Sequence, residues 1–365
     1  MTPPKHAPLE TGAGLPAPSG AARPGPGWPT VTMADVAREA QVSTATVSRI
    51  LDGVVPVAEA TRAKVLDAIA RTGYIRNEAA TRLARGSSDT VGLLLRDPSN
   101  PYYGRLHAEL QLRTAQHRMQ LLTVASPPVH VAPNESSGLR RLLEHRVGGI
   151  LVATGLIDPH VLLPFVASIP TVVLGRPEDH PSLHTVAHDE QANGYLIADQ
   201  VLAHDHADVA VVVPVHHPDL LVEHRRGTFM AERLRAGGAN VTTIDVPPPR
   251  SSDPDMVNAT VIDLVRRRKV TAVMFPADMR LLAFLSAAQQ AQLRIPDDVS
   301  ATGVDGVLTG IELLGLATVR LPIETLARRG LEIISAQMSA NGPIEIRHES
   351  LTGTFMPGRT LALRS

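Results

Sequence analysis

A short predicted helix near the N-terminus carries the side chains best suited to reading DNA bases. Ser43 can cap this helix, which extends to about Leu51. Its inward-facing apolar positions are Val47, Ile50 and Leu51. Its outward-facing positions are Thr44, Ala45, Ser48 and Arg49. A helix of this kind fits the major groove, where the guanidinium of Arg49 can make a bidentate contact with guanine, so the pattern predicts base recognition.

The other polar residues of this segment have a different expected role. Ser43, Thr46 and Ser48 can hydrogen-bond to phosphates, contacts that position a protein on DNA but carry no sequence information. For Thr44 and Ala45, which offer only a hydroxyl and a methyl-sized surface, the alternative is that they are simply solvent-facing helix positions. The net charge of the whole chain is −1, so a DNA-binding role depends on this motif and not on bulk charge.

Two further helices must hold the DNA-reading helix in place. Thr32 can cap a first helix, with Asp35 three positions later, and a turn is expected at Gln41–Val42. A third helix, from about Ala58 to Thr72, should end at Gly73, which tolerates a left-handed cap. Its predicted buried residues are Val65, Ala68 and Ile69. The three helices together predict a small bundle of the helix-turn-helix type.

The segment from Val31 to Gly53, VTMADVAREAQVSTATVSRILDG, closely resembles the DNA-binding head of the LacI/GalR family of transcriptional regulators. The resemblance continues through Gly73–Tyr74 and the segment NEAATRLA at 77–84, and then through nearly the whole remaining chain. It implies a hinge that folds into a helix on DNA and wedges a leucine into the minor groove, with two copies acting as a pair. The implied DNA contacts are Thr32, Ser43, Thr44, Ala45, Thr46, Ser48, Arg49, Asn77, Ala80 and Leu83.

Two positions of the head and hinge depart from the family pattern. Arg76 stands where relatives usually have proline before the hinge asparagine, so we expect a floppier hinge start and an additional phosphate contact. Ala58 replaces a serine that usually caps the third helix, which should weaken that helix by about 1 kcal/mol. For Leu83 the alternative role is to pack the head against the body.

The chain after Gly86 alternates short apolar runs with helical stretches, a pattern typical of buried parallel strands joined by helices. The predicted strands are Val91–Leu95, Met119–Val124, Gly149–Val152, Thr171–Leu174, Val209–Val213, Val241–Ile244, Ala272–Phe275 and Ser300–Val304. The predicted helices between them include Gly104–Arg118, Gln191–His204, Glu223–Ala236 and Met279–Gln290. About 270 residues exceeds one such sheet, so we expect an all-α head followed by an α/β, periplasmic-binding-protein-like body of two doubly wound lobes. A ligand cleft should lie where the strand ends of the two lobes meet.

Several polar and aromatic residues at predicted strand ends match the effector-binding pattern of the family. The candidate effector contacts are Tyr102, Tyr103, Asp189, His224, Asp278 and Asp305. Capping of a helix is the alternative role for Asp278, and packing in the core of a lobe is the alternative for Tyr103. Together, aromatic faces and fixed polar groups are what a sugar or a purine requires.

This predicted effector site also departs from the family. His224 stands where relatives place an arginine three residues before the glycine of the Gly227 helix, although a shift of one residue would give that role to Arg225. Ala277 replaces the usual asparagine before Asp278. We therefore expect that the effector is not a simple sugar bound in the usual way.

Length and composition are consistent with a regulator of several segments. We expect a disordered Pro/Gly/Ala-rich tail at 1–30, a helix-turn-helix domain at 31–76, a hinge helix and linker at 77–88, and a two-lobed effector-binding and dimerisation domain at 89–365. The absence of cysteine excludes thiolate sites, and no apolar run reaches the roughly 18–20 residues that span a bilayer. A cytoplasmic homodimer without a cofactor or metal is expected.

The sequence thus predicts a transcriptional regulator, by family habit a repressor, that binds a palindromic DNA operator and a small-molecule effector. A solute-binding protein is the first alternative, but it would need a secretion signal and no helix-turn-helix. An enzyme is the second, but no P-loop, nucleophile elbow or metalloprotease motif occurs in the chain. Both alternatives fit the sequence less well.

Overall fold

The computed structural model describes residues 31–52, 57–75, 88–126, 135–155, 157–215, 222–246, 254–340, 342 and 344–364. The chain forms two compact units, residues 1–86 and 87–365. The predicted tail at 1–30 and most of the predicted hinge segment lie outside the described residues. In the described part of the chain no helix is long and apolar enough to cross a membrane.

The first unit contains three helices, α1 (Met33–Ala40), α2 (Thr44–Asp52) and α3 (Glu59–Thr72). Thr32 and Asp35 form the predicted capping box, since the Asp35 amide donates to Thr32 Oγ1 at 3.3 Å and the Thr32 amide donates to the Asp35 carboxylate at 2.9 Å. Gln41 adopts a left-handed conformation with φ 55°, which ends α1 and turns the chain into α2.

The core of the head is formed by one face of each helix. The fully buried members are Val36, Val47, Val65 and Ala68. Leu51 and Ile69 pack against them but are only partly buried, so the sequence overestimated the burial of these two side chains. Gly73 ends α3 with φ 67°, as predicted, while Ala58 at its start makes no side-chain capping hydrogen bond. One orphan amide of the first turn of α3 therefore has no cap from this side chain.

We expect Ala58→Ser to stabilise the head by about 1 kcal/mol, because a serine hydroxyl can accept a hydrogen bond from the first-turn amides of α3. Native-state hydrogen exchange on the full-length protein measures this as roughly fivefold slower exchange of the α3 amides, because the open state is less populated. Ala63→Ser, the same change on the exposed middle of α3, is the control and should weaken the helix slightly. Equal slowing in both variants would contradict the capping argument.

The second unit contains two six-stranded sheets. The first sheet has strands β1 (Thr90–Leu95), β2 (Gln120–Ala125), β3 (Gly149–Ala153), β4 (Thr171–Leu174), β5 (His184–His188) and β11 (His348–Leu351). They are parallel, in the order β11-β5-β4-β3-β1-β2. Helices α4 (Pro101–Gln116), α5 (Glu135–Glu144) and α6 (Pro159–Val166) follow β1, β2 and β3 along the chain. The sheet, these helices and α12 (Ile323–Ser339), which packs on β3, β4 and β5, are called the first lobe.

The second sheet has strands β6 (Asp208–Pro214), β7 (Asn240–Val246), β8 (Ala272–Met274), β9 (Ser300–Asp305), β10 (Ala317–Arg320) and β12 (Thr354–Met356). Their order is β12-β10-β9-β8-β6-β7, with only β12 antiparallel. With helices α7 (Glu190–Ala203), α8 (Val222–Ala236), α9 (Pro254–Arg266), α10 (Asp278–Gln290) and α11 (Ile311–Leu314) this sheet forms the second lobe.

The chain passes between the lobes three times, after β5, after β10 and after β11. Hydrogen bonds join the first and third crossings: the Asp189 amide donates to the Leu351 carbonyl at 2.9 Å, and the Gly353 amide donates to Asn193 Oδ1 at 2.7 Å. Gly353 is required here because a Cβ would lie 2.7 Å from the Arg320 carbonyl oxygen. The crossings therefore form one compact hinge.

The predicted two-lobed α/β body is confirmed, and all eight predicted strands occur with ends within two residues of the prediction. The sequence of residues 351–365 predicts a strand-like tail, and this prediction is largely wrong: beyond the last residue of β11, only Thr354–Met356 is a strand among the described residues of this segment. This short strand covers the edge of β10, and beyond it Gly358 passes so close to Leu316 that a Cβ would clash with the Leu316 backbone.

Candidate functional site

The outer face of α2 carries the residues predicted to read DNA. Thr44, Ala45 and Arg49 are exposed, and Ser48 is half-buried. Ser43 begins the helix, with the Thr46 amide donating to Ser43 Oγ at 3.2 Å and the two hydroxyls 2.9 Å apart. The structure therefore places the three predicted base-reading side chains together on one accessible face of a well-capped helix.

The remaining predicted DNA contacts are divided between described and undescribed parts of the chain. Thr32 is exposed, and its hydroxyl donates to Asp35 Oδ2 at 2.6 Å as part of the capping box. The predicted hinge contacts Asn77, Ala80 and Leu83 lie outside the described residues, as does Arg76.

The first lobe contributes aromatic groups to the cleft between the lobes. Asn100 caps α4 by accepting a hydrogen bond from the Tyr102 amide at 3.0 Å, so Tyr102 and Tyr103 belong to the first turn of this helix. Their rings meet edge to face, with centroids 5.1 Å apart. The Tyr102 hydroxyl shares a hydrogen bond of 2.8 Å with Nε2 of His188, at the end of β5. The sequence therefore placed the start of this helix three residues too late, at Gly104 instead of Pro101.

The second lobe contributes a buried ion pair. Arg226, on α8, donates from Nε and Nη2 to the two carboxylate oxygens of Glu190 at 2.6 and 3.1 Å. Its Nη1 donates to the Pro276 carbonyl at 2.5 Å and lies 3.6 Å from Asp305 Oδ1. Both Arg226 and Glu190 are almost fully buried. Burial alone would lower the pKa of Arg226, but Glu190 and Asp305 raise it, so the guanidinium stays charged.

Neither His224 nor Arg225 supplies the buried guanidinium of this cleft. His224 is half-buried, with Nδ1 2.7 Å from the Pro214 carbonyl oxygen, and Arg225 is exposed. Sequence reasoning missed Arg226 and its partner Glu190. A signal was present, because Arg226 lies on the same face of α8 as the buried Met230 and Leu234, four and eight residues later.

Asp278 lies beneath the cleft and supports its wall. Its carboxylate accepts hydrogen bonds from the Gly306 amide at 2.8 Å and the Thr318 hydroxyl at 2.7 Å, and the residue is 1% exposed. The alternative role as a helix cap is not observed, because Ala277 is the cap residue of α10 and makes no capping hydrogen bond. Asp278 thus ties the end of β9 to β10, a supporting position and not a lining one.

Asp189 lies in the hinge, whereas Asp305 lies in the cleft. Asp189 is half-buried and caps α7, accepting a hydrogen bond from the Ala192 amide at 2.8 Å. Asp305 ends β9 with φ 137°, a conformation that is strained for any residue but glycine. Burial, followed by the nearby carboxylates of Asp278 and Glu223, raises the pKa of Asp305 well above its ordinary value, against the opposing charge of Arg226.

The two lobes face each other across this site. Burial raises the pKa of Tyr102, and the charges of Asp305 and Glu190 from the second lobe raise it further. Arg96, at the end of β1, hydrogen-bonds to Tyr103 and lies near Glu223, which forms an ion pair of 2.7 Å with Arg280. The structure therefore brings Tyr102, Tyr103 and Asp305 together, as the sequence predicted. No cluster of His, Asp and Glu suited to a metal ion occurs among the residues described.

Comparison with known proteins finds two family models on this chain. Residues 32–77 match the model of bacterial regulatory proteins, lacI family, and residues 198–361 match the periplasmic binding protein-like domain. The chain therefore carries a LacI-family DNA-binding domain followed by a periplasmic binding protein-like domain. It is a DNA-binding transcriptional regulator with an effector-binding domain.

Individual relatives agree with this assignment over nearly the full length. The HTH-type transcriptional regulator GalS of Salmonella typhimurium is 29% identical over 332 residues, 90% of this chain and 94% of the relative. The HTH-type transcriptional repressor PurR of Photobacterium profundum is 26% identical over 308 residues, 83% of this chain and 90% of the relative. These relatives are named as regulators and not as enzymes, in agreement with the sequence prediction.

The fold is also that of solved family members. A lac repressor dimer bound to operator and the anti-inducer ONPF superposes with a TM-score of 0.73 at 20% identity, covering 91% of this chain and 100% of that one. The agreement concerns the course of the backbone. It shows the fold and not the roles of individual side chains.

We expect Glu190→Ala to destabilise the second lobe by about 3 kcal/mol or more, because it leaves the charge of Arg226 buried without its bidentate partner. Urea unfolding of the full-length protein measures the loss. Asp199→Ala is the matched control on the same helix: it removes an exposed ion pair with Arg233 and should cost at most about 1 kcal/mol. Similar losses in the two variants would show that the buried pair is no more important than a surface one.

His188 makes stability dependent on pH. Burial, and to a smaller extent Arg226, lowers the pKa of His188 to about 3, below the value of 6.5 expected when the chain is unfolded. Because the folded state holds the neutral ring, stability is lost as the pH falls below 6.5, by about 2 kcal/mol between pH 7 and 5. His188→Gln should remove that part of the pH dependence of urea unfolding, whereas the exposed His145→Gln should not. Identical pH profiles in the wild type and His188→Gln would contradict the assignment.

Proposed function

We propose that this protein is a repressor that binds a palindromic DNA operator as a homodimer and changes its DNA affinity when an effector binds between the lobes. The observation that carries the proposal is the exposed face of α2, where Thr44, Ala45 and Arg49 lie together on the second helix of a helix-turn-helix. A related repressor whose fold this chain shares is a dimer bound to operator in its solved structure. Two-fold symmetric heads match palindromic sites.

In this proposal each segment has its own task. Residues 31–76 read the major groove, residues 77–88 form a hinge helix with Leu83 as a minor-groove wedge, and residues 89–365 bind the effector and the second copy. Ser43, Thr46, Ser48 and Thr32 contact phosphates, while Asn77 and Ala80 approach the backbone of the bent duplex. An apolar wedge of this kind exchanges unstacking, a few kcal/mol, for a larger contact with DNA.

Regulation follows from the compact hinge between the lobes. An effector that fits one arrangement of the lobes better than another shifts the population toward that arrangement. Tyr102 and Tyr103 from the first lobe and Asp305 from the second are the side chains placed to contact it, with His188 behind Tyr102. Because binding at the two sites is linked, DNA must change effector affinity by the same factor as effector changes DNA affinity.

Selection of the full-length protein against a randomised duplex library tests the DNA-binding part. We expect enrichment of a palindrome of roughly 14–20 base pairs with a flexible pyrimidine–purine step at its centre. A non-palindromic consensus would contradict the dimeric mode, and no enrichment would contradict sequence-specific binding by the protein alone.

Arg49→Ala tests the assigned base contact on the selected operator. We expect specific affinity to fall by roughly 10-fold to 100-fold, the value of one bidentate contact, with lost discrimination at a single guanine in each half-site. Arg71→Ala, which changes an exposed arginine at the end of α3, is the control and should keep the same consensus. Unchanged base preference in Arg49→Ala would contradict the contact.

A further inference from the structure

Strand β1 receives the chain from the hinge segment, and the loop on each side of its first residue carries an exposed arginine. In the first sheet β1 lies between β2 and β3. The loop that joins α4 to β2 contains Arg118, and the loop that joins α5 to β3 contains Arg146; both residues are exposed. The two arginines therefore flank the point at which the body begins.

Backbone contacts hold both loops against the entering chain. The Gln120 amide donates to the Asp89 carbonyl at 3.1 Å, and the Gly148 amide donates to the Thr90 carbonyl at 2.8 Å. A Cβ on Gly148 would lie 2.5 Å from the Ser88 carbonyl oxygen, so only glycine allows this close approach. We call the exposed residues of 88–90, 117–119 and 140–148 the entrance surface.

The entrance surface is positively charged, although the whole chain has a net charge of −1. Its charged members, with the histidines neutral, are four arginines and two carboxylates: Arg118, Arg140, Arg141, Arg146, Asp89 and Glu144. None of the four arginines forms an ion pair with a described residue. The surface thus has two positive charges in excess and four guanidinium groups that are available to an anionic partner.

The turns themselves do not require arginine. Arg118 and Arg146 have φ angles of 57° and 52°, in the left-handed region that glycine occupies without steric cost. The second lobe contains the same kind of turn between α8 and β7, with Gly238 at φ 87°. Because a glycine fulfils the backbone role there, the side chain of Arg118 has to be explained by something other than the turn.

The length of the chain limits how far this surface can be from bound DNA. Ser88 is five residues after Leu83, the minor-groove wedge of the function proposed above. Five fully extended residues span at most about 18 Å. In the DNA complex the entrance surface is therefore close to the phosphates that border the groove, and these phosphates supply the negative charge that its unpaired arginines lack.

Resting on the function proposed above, we propose that the body of this regulator binds DNA directly: Arg118 and Arg146 of each copy contact phosphates beside the segment that the hinge occupies. The partner of the entrance surface is the backbone of double-stranded DNA. Phosphate contacts carry no sequence information, so this surface adds affinity without changing the operator that α2 selects.

The salt dependence of operator binding by the full-length protein tests the proposal. Arg118→Gly and Arg146→Gly remove the charge and retain the turn, because glycine favours this backbone conformation. Binding to the selected operator is measured by fluorescence anisotropy between about 50 and 200 mM salt. Each phosphate contact contributes about 0.9 to the slope of log affinity against log salt, so in a dimer each variant should lower the slope by about 2. The affinity deficit of each variant should then shrink roughly tenfold over this salt range.

Arg268→Gly is the matched control. Arg268 is exposed, has φ 54° and occupies the corresponding turn between α9 and β8 in the second lobe. The change removes the same charge from the same position after a helix, so it also accounts for the weak attraction between an arginine and the end of a helix. We expect the wild-type slope. Equal slopes in the wild type, Arg118→Gly and Arg146→Gly, or an equal decrease in Arg268→Gly, would overturn the proposal.

Operator selection with the same variants supplies a second readout. We expect Arg118→Gly and Arg146→Gly to enrich the wild-type palindrome, whereas a changed base preference would show base contacts and overturn the assignment to phosphates. The two proposals also fail in different ways. Operator binding by the wild type with unchanged slopes in both variants refutes only the body contact, whereas no operator for the wild type refutes the regulatory function on which it rests.

Discussion

One buried guanidinium organises the effector side of this regulator. Arg226 joins the start of α7 through Glu190, the end of β8 through the Pro276 carbonyl, and the end of β9 through Asp305. These three points belong to elements that are far apart in the chain and that meet at the carboxyl edge of one sheet. Because a buried charge must be compensated, the position of each point is fixed by the others.

The first crossing between the lobes begins directly beside this ion pair. Glu190 follows Asp189, whose amide bonds to Leu351 at the third crossing, while the Leu321 amide at the second crossing donates to the Asp305 carbonyl at 3.0 Å. The residues of the hinge are therefore joined to those of the cleft by hydrogen bonds and by direct chain neighbours. A change in the surroundings of Asp305 reaches the connections between the lobes through one hydrogen bond, which is the physical basis for linking ligand occupancy to lobe arrangement.

The sequence predicted those parts of the fold that have a local signal. The caps at Thr32, Ser43 and Gly73 and the apolar strands of both sheets were readable because they depend on neighbouring residues. Strand β5, with the sequence HTVAH, was missed because histidines at both ends disguise a strand that is buried along its full length. Strand β12 was not delimited because its length is set by the edge of β10 and not by its own residues.

The candidate site was predictable in its aromatic and acidic residues but not in its arginine. Tyr102 and Tyr103 lie in the first turn of the helix that follows β1, and Asp305 is the last residue of β9, so their positions follow from chain order. Which residue of the run His224-Arg225-Arg226 faces inward depends on the rotation of α8 and on a partner 36 residues earlier. A pairing over that distance leaves no local pattern, so the supporting role of Asp278 and the Glu190–Arg226 pair required the structure.

The threading of the chain also sets the order in which this protein can be assembled during synthesis. The first lobe lacks α12 and β11 until residues 323–351 have left the ribosome. By then every strand of the second lobe except β12 has already been synthesised. Until then the outer edge of β5 has no partner strand, and the face of β3, β4 and β5 that α12 covers is exposed. The nascent chain therefore completes almost the whole second lobe before the first lobe can close. During that interval the exposed edge of β5 is open to mispairing and to chaperones.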